Sequence, residues 1–246
     1  MNVSAGHIGF VRALAAALAL ASAATPGCTR QPQTSPSRLT QENFTQLFEA
    51  TVSIRVSLPG GRSREGSGFI ATRDGWVVTS YHVIGSESIS PYLEYASGES
   101  SSTEVIYGWP TRDLAILVPR HPPPIEPLRF GDSERLEPGQ VLFACGVPFG
   151  LGRTVTRGVI DGRLAFESPR YVVWDGILAE GLSYPGDSGG PVVTQDGRVV
   201  GVHLGSVAGQ RRAVIPISLV RTTLVEARVR AEILRRRQRA TDSAAI

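Results

Sequence analysis

Three side chains in this sequence could together break an acyl bond. Ser188 lies in the stretch YPGDSGGPVV, while His82 and Asp113 lie upstream in TSYHVIG and TRDLAIL. A serine hydroxyl becomes a strong nucleophile when a histidine takes its proton and a carboxylate orients that histidine. The three residues are far apart in the chain, so this chemistry requires a fold that brings them together.

Each of these residues also has an ordinary explanation. A glycine-rich turn would account for GDSGG alone, a histidine after a strand is commonly a satisfied polar residue, and an aspartate before a strand is commonly a cap. GDSGG also fits the nucleophile elbow of the α/β-hydrolases, but that fold needs a helix after the serine, then an acid and a histidine. Here two strand-like runs, PVVTQ and RVVGV, follow Ser188. The order His82, Asp113, Ser188 is instead that of trypsin-like proteases.

The segments around these residues have the pattern of strands. Between residues 50 and 217, short runs rich in β-branched residues alternate with turn signals. This pattern is typical of closed or sandwiched all-β structure. Asp74-Gly75 and Asp196-Gly197 each separate two such runs and predict β-hairpins. Five prolines within residues 118–128 cannot continue a strand ladder, so we place the boundary between two β units there.

Helical patterns occur only near the ends of this region. Residues 41–50 predict a short entry helix. Residues 219–239 predict an amphipathic helix, because Val220, Leu224, Val229 and Ile233 recur at nearly helical spacing.

The positive charge is concentrated in the last segment. Residues 219–246 contain seven arginines and three acidic residues, whereas residues 1–218 contain 18 arginines and 19 acidic residues. This distribution gives no support to nucleic-acid binding by the β region. We expect the helix to cap the second β unit; the alternative is that Arg235–Arg237 and Arg239 contact anionic lipid or a partner surface.

The N-terminal segment predicts export. Arg12 precedes an apolar run of twelve residues, 13–24, which is too short to span a bilayer, and residues 1–24 fit a signal peptide. A buried helix is the alternative, although the run has no polar face. Residues 25–40 predict a flexible tether rich in Pro, Ser, Thr and Gln. We expect the protein in the periplasm or cell envelope, or else secreted.

The two cysteines have different predicted roles. Cys28 follows the apolar run and opens the polar tether, so it is a candidate lipidation site and membrane tether; ordinary cleavage near Ala23 and Ala24 is the alternative. Cys145, in VLFACGV, is expected to be a small buried residue. Two cysteines and four scattered histidines have no metal-ligand spacing, so we predict no metal and no cofactor.

Longer stretches around the three residues resemble the protease domain of the HtrA (high-temperature-requirement) family of trypsin-like serine peptidases. The similar stretches, within residues 51–220, are GSGFIATRDGWVVTSYHVIG, DLAILV, PLRFGDSERLEPGQVLFACGVPFGLGRTVTRGVIDGR and YPGDSGGPVVTQDGRVVGVH. The resemblance implies an all-β, chymotrypsin-like fold of two packed six-stranded antiparallel β-barrels with a C-terminal helix. The expected first barrel, with the entry helix, covers residues 41–119, and a linker follows at 120–128. The expected second barrel covers residues 129–218, and the basic helix and tail cover residues 219–246.

The resemblance also implies an activity. His82, Asp113 and Ser188 would be the catalytic triad of a serine endopeptidase. The backbone N–H groups of Gly186 and Ser188 would form the oxyanion hole, which stabilises the tetrahedral intermediate. The alternative function is a catalytically silent protease fold that acts as a binding module.

Substrate binding is expected from two segments. A polypeptide substrate would lie as an added strand along His203, Leu204 and Gly205. Leu182 would lie at the base of the primary specificity pocket, which predicts cleavage after small or medium apolar residues in unfolded or damaged envelope proteins. The sequence leaves open whether the protein forms an oligomer.

Two features depart from the family pattern. Asp187 precedes the nucleophile where Asn is usual, so it needs a partner, for which Arg153 and Arg157 are candidates. Many members continue into a PDZ domain, whereas this sequence ends in the basic helix. We therefore expect no PDZ domain.

Overall fold

Two tight hairpins bring the segments of the candidate site into register. In the computed structural model, β2 (Ser63–Ile70) pairs antiparallel with β3 (Val77–Ser80), and β10 (Pro191–Val193) with β11 (Val199–Ala208). The turn glycines Gly75 and Gly197 have φ values of 78° and 75°. Both hairpins predicted from the Asp-Gly pairs are therefore confirmed. The structure describes residues 38–86, 91–167, 172–181, 186–208 and 211–244.

Each half of the described chain closes into an antiparallel barrel. The first barrel has the order β1-β2-β3-β6-β5-β4 and the second β10-β11-β12-β9-β8-β7. The remaining strands are β1 (Thr51–Ser57), β4 (Pro91–Glu94), β5 (Ser100–Trp109), β6 (Leu114–Pro119), β7 (Val141–Gly146), β8 (Thr154–Glu167), β9 (Val172–Glu180) and β12 (Arg211–Pro216). The expected fold class, two six-stranded barrels with a C-terminal helix, is confirmed.

Three helices complete the described part of the chain. They are α1 (Gln41–Ala50), α2 (Tyr81–Ile84) and α3 (Ile217–Ala244). The Thr40 side chain caps α1 by accepting a hydrogen bond from the Asn43 N–H, at 3.2 Å. No helix among the described residues combines the length and the apolar character needed to cross a membrane.

The apolar residues that alternate along the strands fill the two barrels. In β1, for example, Val52, Ile54 and Val56 are fully buried. Cys145 on β7 is buried too, as expected, and its burial raises the pKa of the thiol to about 11.

The buried face of α3 differs from the one predicted. The helix extends beyond residues 219–239 at both ends, and Val220 and Leu224 are buried as expected. Val229 and Ile233, however, are 54% and 45% exposed, and the buried face continues through Ala227 and Ala231 instead. The prediction chose the larger apolar side chains, whereas the closely packed face of this helix uses small ones.

Candidate active site

The register of β3 and β6 places His82 beside Asp113. Ser80 lies opposite Leu114 in this antiparallel pair, so the residues after β3 meet the residues before β6. His82 Nδ1 lies 2.7 Å from Asp113 Oδ2, and the His82 backbone N–H donates to Asp113 Oδ1 at 2.8 Å. The Asp113 side chain is 1% exposed and the His82 side chain 30% exposed. The carboxylate therefore fixes the ring and places a proton on Nδ1, which leaves Nε2 able to accept a proton.

Asp113 has a left-handed backbone conformation, which is uncommon for a residue other than glycine. Its φ and ψ are 49° and 39°, at the end of the 3₁₀ turn Pro110–Arg112. The Asp113 N–H donates to the Pro110 carbonyl at 3.2 Å, and its own carbonyl accepts from the Tyr81 N–H at 2.9 Å. Such conformations cost free energy and persist where surrounding contacts hold them, often at functional sites.

The pairing of β10 with β11 positions Ser188. Pro191 lies opposite Val202, so the residues before Pro191 meet the residues after Val202. The Gly189 N–H donates to the His203 carbonyl at 2.8 Å, and the His203 N–H donates to the Gly190 carbonyl at 2.9 Å. These bonds anchor the residues that directly follow Ser188 to β11.

The Ser188 hydroxyl is oriented towards β11. Its Oγ donates to the Leu204 carbonyl at 3.3 Å, a long hydrogen bond. Gly189 packs against β3, where an added Cβ would lie 2.3 Å from Thr79 Oγ1 and 2.9 Å from the Ser80 nitrogen. Ser188 therefore lies on the side of the second barrel that faces the segment carrying His82.

Ser67, which the sequence reasoning missed, joins the first barrel to the loop of Ser188. Its hydroxyl donates to the Gly186 carbonyl at 2.8 Å and accepts from the Val147 N–H at 2.9 Å. Its backbone N–H donates to the Ser188 carbonyl at 2.9 Å, and its side chain is fully buried. A serine between glycines in GSGFI was the only sequence signal for this role.

Gly186 has a conformation that only glycine adopts readily. Its φ is 102°, and an added Cβ would lie 2.8 Å from the Val147 carbonyl oxygen and 2.9 Å from the Phe149 nitrogen. Among the described residues, no backbone carbonyl accepts a hydrogen bond from the N–H of Gly186 or of Ser188. These two groups can therefore serve an incoming oxygen.

The three substrate-binding candidates on β11 differ in their surroundings. His203 is 1% exposed and Leu204 4% exposed. The His203 backbone already bonds to Gly190 and lies opposite Val214 of β12. The β11–β12 register then shifts between His203 and Gly205. A peptide strand could therefore pair from Leu204 onward rather than at His203.

Several sequence predictions lie outside the described residues, namely Leu182, Cys28, the signal peptide and most of the tether. Asp187 is described and is 1% exposed. Arg153, a candidate partner for Asp187, donates to the carbonyls of Thr51 and Glu94 at 2.8 and 2.9 Å.

Comparison with known proteins gives consistent matches. A family model described as a trypsin-like peptidase domain matches residues 66–202, a range that includes His82, Asp113 and Ser188. Two curated relatives carry the name "Probable periplasmic serine endoprotease DegP-like". The one from Chlamydia muridarum is 33% identical over 190 residues, covering 76% of this chain and 37% of the relative. The one from Marinomonas sp. is 37% identical over 147 residues, covering 58% of this chain and 30% of the relative. The chain thus spans about a third of the length of these relatives.

Solved structures show the same architecture. The Rv3671c protease from M. tuberculosis, in its active form, superposes with a TM-score of 0.69 at 26% identity, covering 78% of this chain and 86% of that chain. The HtrA-type protease AlgW with a tripeptide gives a TM-score of 0.65 at 25% identity, covering 72% of this chain and 59% of that chain.

Proposed function

Because the chain belongs to the trypsin-like peptidase family, we propose that it is a serine endopeptidase whose nucleophile is Ser188. The resemblance to the HtrA type is confirmed by the names of its relatives and structural neighbours. The observation that carries the proposal is the pair of hydrogen bonds from His82 to the buried carboxylate of Asp113, on the side of the cleft that faces Ser188.

The reaction begins with a rotation of the Ser188 hydroxyl from the Leu204 carbonyl towards His82 Nε2. His82 accepts the hydroxyl proton as the serine oxygen attacks the peptide carbonyl, and it later donates that proton to the leaving amine. Asp113 remains ionised and stabilises the imidazolium that forms between these steps. Water then hydrolyses the acyl-enzyme: His82 accepts a proton from the attacking water and donates it to the departing Ser188 oxygen.

The negative oxygen of the tetrahedral intermediate is stabilised by the backbone N–H groups of Gly186 and Ser188. Removing one such donor from an oxyanion hole typically raises the barrier by about 3–4 kcal/mol. The hydrogen bond from Ser67 to the Gly186 carbonyl supports this role, because it fixes the residue that supplies one of the donors.

The proposed substrate is an extended, unfolded polypeptide. β10 begins at Pro191, opposite Val202, so the edge of β11 from Leu204 onward has room for an added strand. The neighbour AlgW was solved with a tripeptide, which supports a peptide as the substrate. The names of the relatives place them in the periplasm, and we propose the same location, with damaged envelope proteins as substrates. Lipidation of Cys28 is a further proposal, which the intact mass of protein from the membrane fraction would test.

Hydrolysis of unfolded casein tests the proposal. Ser188→Ala, His82→Ala and Asp113→Asn should each reduce kcat by about 10⁴-fold or more, because the triad residues act as a unit. Ser57→Ala, which changes an exposed serine on β1, is the matched control and should retain full activity. Casein cleavage by Ser188→Ala at the wild-type rate would exclude Ser188 as the nucleophile, whereas a folded wild-type protein that cleaves no casein would favour a binding module.

A further inference from the structure

A buried histidine beside the nucleophile is not explained by the catalytic mechanism. His203 is 1% exposed and directly precedes Leu204, whose carbonyl accepts the Ser188 hydroxyl. Within the part of the chain that the structure describes, neither ring nitrogen of His203 has a hydrogen-bond partner. Buried polar groups in folded proteins nearly always have partners, and those without one are costly. A bound ligand can therefore supply the missing hydrogen-bond partner of this imidazole.

The electrostatic surroundings of His203 indicate the sign of the charge on that ligand. Among the described residues, the charged groups that act on the imidazole are Arg212 and His82, both of them basic. Arg212 lies on β12, opposite Ser206, just past the register shift that follows His203. An imidazole N–H and the guanidinium of Arg212 on the neighbouring strand are complementary to a carboxylate, whereas a cationic side chain would be repelled.

The position relative to Ser188 indicates where on the substrate this carboxylate lies. The backbone of His203 bonds to Gly189 and Gly190, the two residues after the nucleophile. A peptide paired with β11 from Leu204 onward would place the residue attacked by Ser188 next to the His203 side chain. The relevant substrate side chain is therefore the one before the scissile bond.

We propose that His203 and Arg212 form an anion-binding subsite that selects aspartate or glutamate before the scissile bond. The inference rests on the proposed function and specifies its substrate. It replaces the apolar preference expected from Leu182, which lies outside the described residues. An apolar substrate side chain would bury the His203 nitrogens without partners, and sites built to hydrogen-bond a substrate discriminate strongly against analogues that lack the group.

The test compares internally quenched peptides that differ only before the scissile bond, with Glu, Asp, Gln, Leu or Arg at that position. Gln is the closest control, because it matches Glu in shape and lacks the charge. Wild type should cleave the Glu peptide with a kcat/KM about 10²-fold above that of the Gln peptide. His203→Val and Arg212→Gln should each remove most of this preference, measured as the ratio of kcat/KM for the Glu peptide to that for the Gln peptide.

Arg211→Gln is the matched control for Arg212→Gln. Arg211 is the adjacent, exposed residue of β12, and it pairs with Asp161 at 2.8 Å, so its loss should leave the Glu preference intact. Each variant is first shown to be folded by thermal unfolding. If His203→Val does not fold, Arg212→Gln decides the question alone.

The two proposals fail in different ways. If wild type degrades casein but cleaves the Gln or Leu peptide as fast as the Glu peptide, the anion subsite is wrong and the endopeptidase stands. Retention of the Glu preference in both variants would equally refute the subsite. Absence of cleavage of casein and of every peptide would refute the endopeptidase, and the subsite with it.

Discussion

At the scale of single residues, Ser67 connects the two halves of the site. It belongs to β2 of the first barrel, yet its hydroxyl bridges the Val147 N–H and the Gly186 carbonyl of the second. It is a positioning residue, since it acts on the proposed oxyanion hole through the Gly186 peptide that it holds.

Substitution of Ser67 should therefore affect both catalysis and stability. Ser67→Ala leaves the buried Val147 N–H without its acceptor, which should lower the free energy of unfolding by about 1–3 kcal/mol. It also frees the Gly186 peptide, and small displacements of catalytic groups can reduce kcat by about 10²-fold. We expect kcat to fall with little change in KM, measured on a peptide substrate well below the unfolding temperature.

Ser80→Ala is the control for this prediction. Ser80 is also buried, and its hydroxyl donates to the His203 carbonyl at 3.4 Å without contacting Gly186. It should lose stability with much less effect on kcat. Equal losses of kcat in both variants would mean that Ser67 has only a structural role.

The burial of His203 should make stability depend on pH. Burial first, and then the electrostatic effect of the basic groups Arg212 and His82, lowers the pKa of its imidazole from 6.5 to about 4. Between these values the unfolded chain binds a proton that the folded chain does not, so stability falls as the pH falls through this window. From pH 7.5 to pH 5 this effect amounts to about 2 kcal/mol.

Urea unfolding of wild type and His203→Val at pH 7.5 and pH 5 tests this expectation. The variant lacks the buried imidazole, so it should lose less stability than wild type over that interval, by about the same 2 kcal/mol. Parallel losses in the two proteins would show that the imidazole titrates as it does in water.

At the scale of secondary structure, α3 ties the end of the second barrel to the first. Glu226 accepts hydrogen bonds from Trp109 Nε1 at 2.6 Å and from Arg112 Nη1 at 2.9 Å. Two residues further on, Arg228 pairs with Asp74 and lies 3.7 Å from the centre of the Trp76 ring. Through Trp109 and Arg112 the helix packs against the segment that leads into Asp113.

Loss of the Glu226 carboxylate should weaken this packing. Trp109 is 7% exposed, so Glu226→Ala removes the acceptor of a largely buried indole N–H and should cost about 1–3 kcal/mol. For a chain of this length, that corresponds to a fall in Tm of about 2–12 °C by calorimetry. Glu232→Ala is the control, because Glu232 is exposed and pairs with Arg236 of the same helix, and the Tm of this variant should not change. Equal Tm values for all three proteins would contradict the role of Glu226.

At the scale of the whole molecule, α3 has two halves with different surroundings. Its buried positions end at Ala231, and every residue from 232 to 243 is exposed. The exposed half carries Arg235, Arg236, Arg237 and Arg239.

Deletion of residues 232–246 should therefore leave the barrels intact. We expect a Tm within about 2 °C of the full chain, because surface residues contribute little to stability. Flotation with anionic and neutral vesicles at low salt then tests the lipid-contact alternative. Weaker binding of the shortened protein to anionic vesicles would support that alternative, whereas equal binding would exclude it. A large fall in Tm would instead show that residues 232–246 contribute to the packing of the barrels.

The sequence pattern predicted much of this architecture, and its failures have physical causes. Strands with alternating apolar residues and Asp-Gly turns were identified, since local chemistry determines them. β4 (Pro91–Glu94) and the serine-rich start of β5 (Ser100–Trp109) were missed, because pairing with neighbours rather than apolar alternation makes them strands. Ser67 escaped notice for a related reason, since its contacts, Val147 and Gly186, lie on segments distant in the chain.

Labelling with an active-site fluorophosphonate tests the central claim most directly, because the reagent reacts quickly only with a serine activated by an assembled triad. The full chain should incorporate one equivalent at Ser188, located by peptide mass spectrometry. Ser188→Ala should not be labelled, and Asp113→Asn should be labelled far more slowly; asparagine also tolerates the left-handed backbone at that position. A folded wild-type protein that is not labelled, or is labelled as fast as Asp113→Asn, would contradict the assignment of His82, Asp113 and Ser188 as a catalytic triad.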